Sequence, residues 1–177
     1  MTTPPRLAAV LTVSDSAHNG TRTDGSGPAV AARLEDAGFA VTARRIVPDD
    51  RARIATELRE LATTLGIGLI CTTGGTGVAL RDVTPEATRD VIDREVPGFG
   101  ELMRSEGLKQ TRFAPLSRAV SGTYGKVLIV NLPGSPAGAV QSLDAIVELV
   151  PHVLDLLGGH TEHQRAGYAA KDDAAKD

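Results

Sequence analysis

Three unbroken apolar runs constrain this chain more than anything else in it: Leu7–Val13, Ile67–Thr72 and Val127–Leu132. Each is rich in Val, Leu or Ile, carries no charge and shows no apolar–polar alternation, the pattern of a strand buried on both faces. A fourth segment, Phe39–Val47, also reads as a strand. Helical periodicity fills the gaps. After Gly27-Pro28, residues Val30, Leu34 and Ala37 recur at helical spacing for about three turns and Gly38 supplies the stop. Ile54, Leu58, Leu61 and Leu65 form a second stripe that Gly66 ends. Strands alternating with helices in this way imply a parallel sheet covered on both faces and linked by right-handed crossovers.

The second half is less regular. Thr84-Pro85-Glu86 predicts a helix with Thr84 as cap and Pro85 at its first position, with Ala87, Val91 and Ile92 inward and Pro97-Gly98 as an interruption. Phe99–Lys109 is weakly helical, and 111–124 reads as a loop with an irregular strand. After Val127–Leu132, a long helix carries Val140, Leu143, Ile146, Val147 and Val150, kinks or restarts at Pro151, and stops at Gly158-Gly159. One domain over 5–160 is expected, followed by a disordered, charged, alanine-rich tail at 161–177.

Charge and composition remove several function classes. A formal net charge of −3 leaves no polybasic footprint for nucleic acid or an anionic membrane, and an aromatic content of 3% gives no base-stacking platform. No apolar run approaches the roughly 18 residues needed to span a bilayer, and no secretory leader is evident. A lone Cys71 in an apolar run cannot form an internal disulfide, so a cytoplasmic protein is expected. Cys71 and the histidines form no metal-ligand spacing and no nucleophile–base pair.

In an open parallel sheet, ligands bind outside the carboxyl ends of the strands, so the loops there are the candidates. Four are unusual: Ser14-Asp15-Ser16 leading to Asp24-Gly25-Ser26-Gly27; Pro48-Asp49-Asp50; Thr72-Thr73-Gly74-Gly75-Thr76-Gly77; and Leu132-Pro133-Gly134-Ser135-Pro136. The third is a phosphate-loop candidate, since glycines let backbone N–H groups approach an anion and the threonines add hydroxyls; it is neither a Walker A loop nor a dinucleotide fingerprint. A tight turn that merely needs glycine is the competing reading. Asp49 and Asp82 each follow a strand and its loop and are placed to enter one crevice, where Mg²⁺ takes one or two carboxylates plus substrate phosphates. Singly, either is equally a helix cap or a solvated loop residue; Asp50 reads as the cap of the neighbouring pair. Ser135 suits a helix cap, phosphate binding or both. Ser105, Arg112 and Arg118 are placed to reach a phosphate or to be simply solvated.

The blocks Val-Ser-Asp-Ser, Asp-Gly-Ser-Gly-Pro, Val-Pro-Asp, Thr-Thr-Gly-Gly-Thr-Gly, Arg-Asp-Val-Thr-Pro-Glu-Ala and Leu-Pro-Gly-Ser-Pro, in that order over residues 7–158, resemble the MogA/MoaB family of molybdenum-cofactor proteins. Glu95–Glu101 and Ser117-Arg118-Ala119 extend the likeness. The resemblance implies a three-layer α/β/α fold with a mostly parallel central sheet, assembled as a homotrimer. It implies Mg²⁺- and ATP-dependent transfer of AMP to the terminal phosphate of molybdopterin, with contacts to upstream and downstream enzymes of cofactor assembly. Asp49 and Asp82 would then be the catalytic and metal-binding carboxylates. Gly74, Gly75, Thr76 and Gly77 would belong to the ligand loop, and Ser14, Gly134 and Ser135 would be further binding residues. The alternatives are a non-catalytic pterin-binding relative and a flavodoxin-like module for another phosphorylated ligand.

Overall fold

The computed structural model describes residues 5–160; the tail at 161–177, expected to be disordered, lies outside the described residues. The elements run β1 (Arg6–Val13), α1 (Asp15–His18), α2 (Ser26–Asp36), β2 (Phe39–Val47), α3 (Arg51–Thr63), β3 (Ile67–Thr73), α4 (Thr84–Arg89), β4 (Arg94–Glu95), α5 (Pro97–Gly107), β5 (Ser121–Tyr124), β6 (Val127–Leu132), α6 (Pro136–Asp144) and α7 (Val150–Leu157), with a 3-10 turn at Ala114–Leu116. The sheet order is β2-β1-β3-β6-β5-β4. Its first four strands are parallel, and β5 and β4 add an antiparallel edge.

The uncharged runs are central strands because both of their faces are covered. Ala8, Val10, Leu69, Cys71, Leu128 and Val130 point to one side, against Val30 and Leu34 of α2, Phe99 and Met103 of α5 and Leu143 of α6. Ala9, Leu11, Ile70 and Ile129 point to the other, against Ile54, Leu58 and Leu61 of α3 and Ala87 of α4. The result is the expected three-layer α/β/α fold, and burying these side chains is its main driving force. In register, Val13 lies opposite Val47, Thr12 opposite Thr73, and Thr73 opposite Leu132. The parallel strands therefore end level, and their loops emerge along one edge. The order in which strands are added reverses between β1 and β3, with β2 on one side of β1 and β3 on the other, the switch point where crevices form in such sheets.

Four local expectations are corrected. Thr84 does not cap its helix: Val83 holds that position, and the Thr84 hydroxyl donates to the Gly74 carbonyl at 2.9 Å. Leu65 is not part of the α3 stripe but 95% exposed, because the helix stops at Thr63 and Thr64 turns extended to reach β3. Pro97 opens α5 in its first turn rather than interrupting a longer helix, since α4 has already ended at Arg89. The last helical stretch breaks over Ala145–Leu149, and Pro151 restarts it inside the first turn of α7. The ambiguous 111–124 resolves into the 3-10 turn and β5, which pairs with β6 through a turn at Gly125.

Candidate functional site

The loop after β3 is shaped by backbone conformations and clearances that exclude side chains. Gly74 and Gly75 have φ of +92° and +64°, and a Cβ at Gly74 would run into the Val13 carbonyl. The Gly74 amide donates to the Leu132 carbonyl at 3.1 Å, while Thr84 returns its own amide to the Gly75 carbonyl at 3.1 Å. The amides of Gly75, Thr76, Gly77 and Val78 meet no acceptor among the described residues, and neither do those of Gly134 and Ser135. Successive free N–H groups in a glycine turn make an anion-binding concavity. The loop after β6 packs directly on it, since a Cβ at Gly134 would lie 3.2 Å from the Gly74 Cα.

Asp49 stands on one flank. The Asp15 amide donates to Asp49 Oδ2 at 2.8 Å, and the Asp49 amide donates to Asp15 Oδ1 at 3.0 Å. Asp15 opens α1, a helix capped by the Ser14 hydroxyl, which accepts from the Ala17 amide. Arg81 in turn holds Asp15 Oδ2, with 2.5 Å from Nη2 and 3.1 Å from Nε. The Arg81 guanidinium lowers the Asp15 carboxyl below its ordinary value. Asp49 moves the other way: burial pushes its carboxyl up, against the pull of the Asp15 amide, and the nearby charges of Asp15 and Asp82 add to the rise. Asp49 Oδ1 is left without a protein donor among the described residues and lies 3.3 Å from where a Cβ at Gly75 would be.

Asp82 stands on the other flank. Its Oδ2 accepts the Ala79 amide at 2.8 Å and sits 2.8 Å from the position of a Cβ at Gly77, which only glycine leaves free. Arg118 braces this side. Its amide donates to the Thr76 carbonyl at 2.8 Å, its Nε to the Gly77 carbonyl at 2.6 Å and its Nη2 to the Asp82 carbonyl at 2.5 Å, while Nη1 pairs with Glu86. One planar guanidinium thus fixes both the glycine loop and the turn that carries Asp82. Glu86 is held below its ordinary value, chiefly by that bond to Arg118.

Two cavities of about 450 Å³ each open on either side of these loops. One is lined by Thr76, Gly77, Asp82 and an apolar wall of Met103, Phe113 and Leu116. The other is lined by Ser14, Asp24, Ser26 and Asp49. Gly75, Gly134 and Ser135 line both. The nine residues that the resemblance marks, namely Ser14, Asp49, Gly74, Gly75, Thr76, Gly77, Asp82, Gly134 and Ser135, therefore lie at one bipartite crevice, whereas Ser105, Arg112 and Arg118 line neither cavity.

Ser135 caps α6, its hydroxyl accepting from the Gly138 amide at 3.2 Å, and Asp50 caps α3. Arg118 has its guanidinium committed to carbonyls and Glu86. Cys71 is fully buried with its thiol pushed up to about 12, which suits an inert core residue. Sequence reading places Asp24 in the first candidate loop but gives it no role of its own; its Oδ2 accepts the Thr12 hydroxyl at 2.7 Å and its Oδ1 accepts the Gly27 amide at 3.0 Å, closing the far wall. An aspartate three residues before an amide in the first turn of a helix is the available signal, a capping-type bond. The braces from Thr84 and Arg118 left no local signal, because they act over ten and about forty residues of sequence.

A mostly parallel α/β domain whose bipartite crevice carries free amides and a carboxylate on each side is suited to an anionic ligand. Residues 9–152 match the family described as a probable molybdopterin binding domain, and the chain belongs to that family. It is 41% identical over 155 residues to the molybdopterin adenylyltransferase of Helicobacter pylori (strain J99), covering 85% of this chain and 87% of that one. It is 40% identical to the molybdenum cofactor synthesis protein cinnamon of Drosophila melanogaster, aligning with 90% of this chain but spanning only 27% of that protein. The crystal structure of the molybdopterin biosynthesis enzyme MoaB of Thermus thermophilus superposes with a TM-score of 0.81 at 49% identity, over 86% of this chain and 96% of that one. The Mog protein of Mycobacterium ulcerans gives 0.80 at 38% identity, over 86% and 99%.

Proposed function

We propose that this protein is a molybdopterin adenylyltransferase of molybdenum-cofactor biosynthesis, transferring AMP from ATP to the terminal phosphate of molybdopterin with release of pyrophosphate. The observation that carries the mechanism is the meeting of two equal cavities at Gly75, Gly134 and Ser135, with Asp49 on one side and Asp82 on the other. A transfer between two phosphorylated substrates needs such a junction, where both polyanions lie end to end.

A terminal phosphate oxygen of molybdopterin attacks the α-phosphorus of ATP. The new P–O bond forms as the bond to the β-phosphate bridge breaks, and pyrophosphate leaves with that electron pair. A phosphate monoester has a second pKa near ~6, so its nucleophilic oxygen is already deprotonated at neutral pH and no strong base is required. The demand is electrostatic. The free amides of Gly75–Val78 and of Gly134 and Ser135 are positioned to receive the charge of the transferred group, held beforehand by Thr84 and Arg118.

Among the described residues no cluster of three or more His, Cys, Asp or Glu is arranged for a metal. Asp49 and Asp82 fit Mg²⁺, which takes one or two carboxylates and completes its shell with phosphates and water. Each has one oxygen engaged by a backbone amide and the other without a donor among the described residues. When bound, Mg²⁺ would neutralise phosphate charge. The working unit is the domain 5–160, assembled as a homotrimer in the cytoplasm; no helix among the described residues is long and apolar enough to cross a membrane.

The test is incubation of the assembled protein, its mass in solution checked for the trimer, with molybdopterin, Mg²⁺ and ATP labelled at the α-phosphate. Magnesium-dependent transfer of label to the pterin is expected. Asp82→Asn should lower turnover by about 10²–10³-fold, the loss typical of one electrostatic element, while leaving pterin binding intact. Tight pterin binding with no transfer by the wild type would instead make this a non-catalytic relative.

A further inference from the structure

Arg104 on α5 is in an unusual position for an arginine. Of the four partly buried arginines among the described residues, Arg6, Arg33 and Arg118 each pair with a carboxylate, whereas Arg104 has none within 4.0 Å among those residues. Its only bonds run from Nη1 to the Ser117 and Ala119 carbonyls, both long at 3.4 Å, so Nε and Nη2 meet no acceptor among the described residues. The guanidinium lies along its own helix over Gly100, where a Cβ would come within 3.1 Å of Nη1 and 3.3 Å of Nη2. Glycine one turn earlier is what gives the charge its seat.

That seat faces the cavity with the apolar wall. Among the described residues Arg104 is the one cation lining it and Asp82 the one carboxylate. A partly desolvated guanidinium without a counter-charge is unfavourable, and a phosphate placed near Asp82 without a compensating cation is unfavourable too. A phosphorylated ligand relieves both, because the planar fork of a guanidinium matches two phosphate oxygens while the free amides of the glycine loop take others. Met103, Phe113 and Leu116 give the same cavity a surface for a flat ring. Arg104 also lines a smaller cavity of about 370 Å³ behind it, together with Ser121, whose buried hydroxyl has no partner. There is thus open volume on both sides of the side chain, so it can adjust when a ligand arrives.

We propose that Arg104 is a substrate-binding residue, the counter-ion for a phosphate group of whichever of the two substrates occupies the cavity walled by Met103, Phe113 and Leu116. The proposal rests on the two-substrate reading above. It makes Arg104 selective: it serves one substrate and not the other, because the second cavity does not include it.

The experiment titrates ATP and molybdopterin separately into wild type, Arg104→Met and Arg104→Lys, with thermal melts to establish that each variant is folded. Arg104→Met should weaken one ligand tenfold or more and leave the other within twofold. Arg104→Lys should recover part of the loss, because it restores charge without the fork. In steady-state assays the same substrate's KM should rise while kcat stays within threefold. Equal weakening of both ligands, or of neither, overturns the proposal. Its failure is distinct from that of the adenylyl-transfer reading: a wild type that binds both ligands but transfers nothing refutes the latter, and the binding titrations still decide the role of Arg104.

Discussion

The two carboxylates of the crevice are held by opposite means. Asp49 is latched by reciprocal bonds to Asp15, and Asp15 is anchored by Arg81, an ion pair whose side chains are 66% and 41% exposed. Asp82 is carried on a turn whose carbonyl is gripped by Arg118, a half-buried guanidinium that also holds two carbonyls of the glycine loop through its side chain and amide. The first anchor is a surface charge pair, open to solvent and salt; the second is a set of directed bonds to backbone carbonyls. Position in the fold explains the contrast. The Asp49 flank follows β2 at the sheet edge, and the Asp82 flank follows the interior strand β3. The site is therefore rigid on one side and tunable on the other.

The sharpest way to break this contrast is Arg118→Met, expected to cost about 1–2 kcal/mol in urea unfolding and to lower turnover roughly tenfold, because several directed bonds vanish together. Arg118→Lys should restore neither, as an ammonium cannot span the same three acceptors. Equal behaviour of Lys and Arg at 118 would reduce the brace to simple charge.

A smaller effect on stability, opposite in sign, is expected at Asp49. Its carboxyl is raised in the folded state, so the native protein holds that proton more tightly than the unfolded chain does, and stability is lost as pH rises through the window above the ordinary carboxylate value. Asp49→Asn should therefore raise the melting temperature at pH 7, lose that advantage near pH 3, and abolish most turnover. A variant that melts lower at pH 7 would mean that the carboxylate stabilises the fold.

The smallest effect belongs to the exposed anchor. Arg81→Gln should lower turnover no more than about threefold at low salt, and the gap should close near 1 M salt, where charges on the surface are screened within a few ångströms. A loss that persists at high salt would put the two anchors on the same footing.

The regions legible in the sequence are those governed by local chemistry. The uncharged runs announced central strands, and glycine and proline at strand ends announced the loops. Asp50 and Ser135 follow capping rules readable within four residues. The errors have physical causes. Leu65 continued a helical stripe that the chain had already left. Thr84 matched a cap before Pro85 but is drawn to the Gly74 carbonyl, a contact that only the folded sheet creates. Arg118 and Arg104 both lie in a segment of weak periodicity, where Arg118 reads as either a phosphate contact or a solvated cation and nothing local distinguishes Arg104. The fold gives one a set of carbonyls and leaves the other without a counter-charge.

The close seating of Gly134 on the Gly74 Cα has an evolutionary reading. Two turns separated by some sixty residues share a contact in which a methyl group at Gly134 would press on the Gly74 Cα, so a substitution at Gly134 requires the Gly74 turn to give way. Inheritance should treat the pair as a single character. A chimera that takes one turn from a distant homologue and keeps the resident copy of the other would be expected to fail where exchange of both together succeeds.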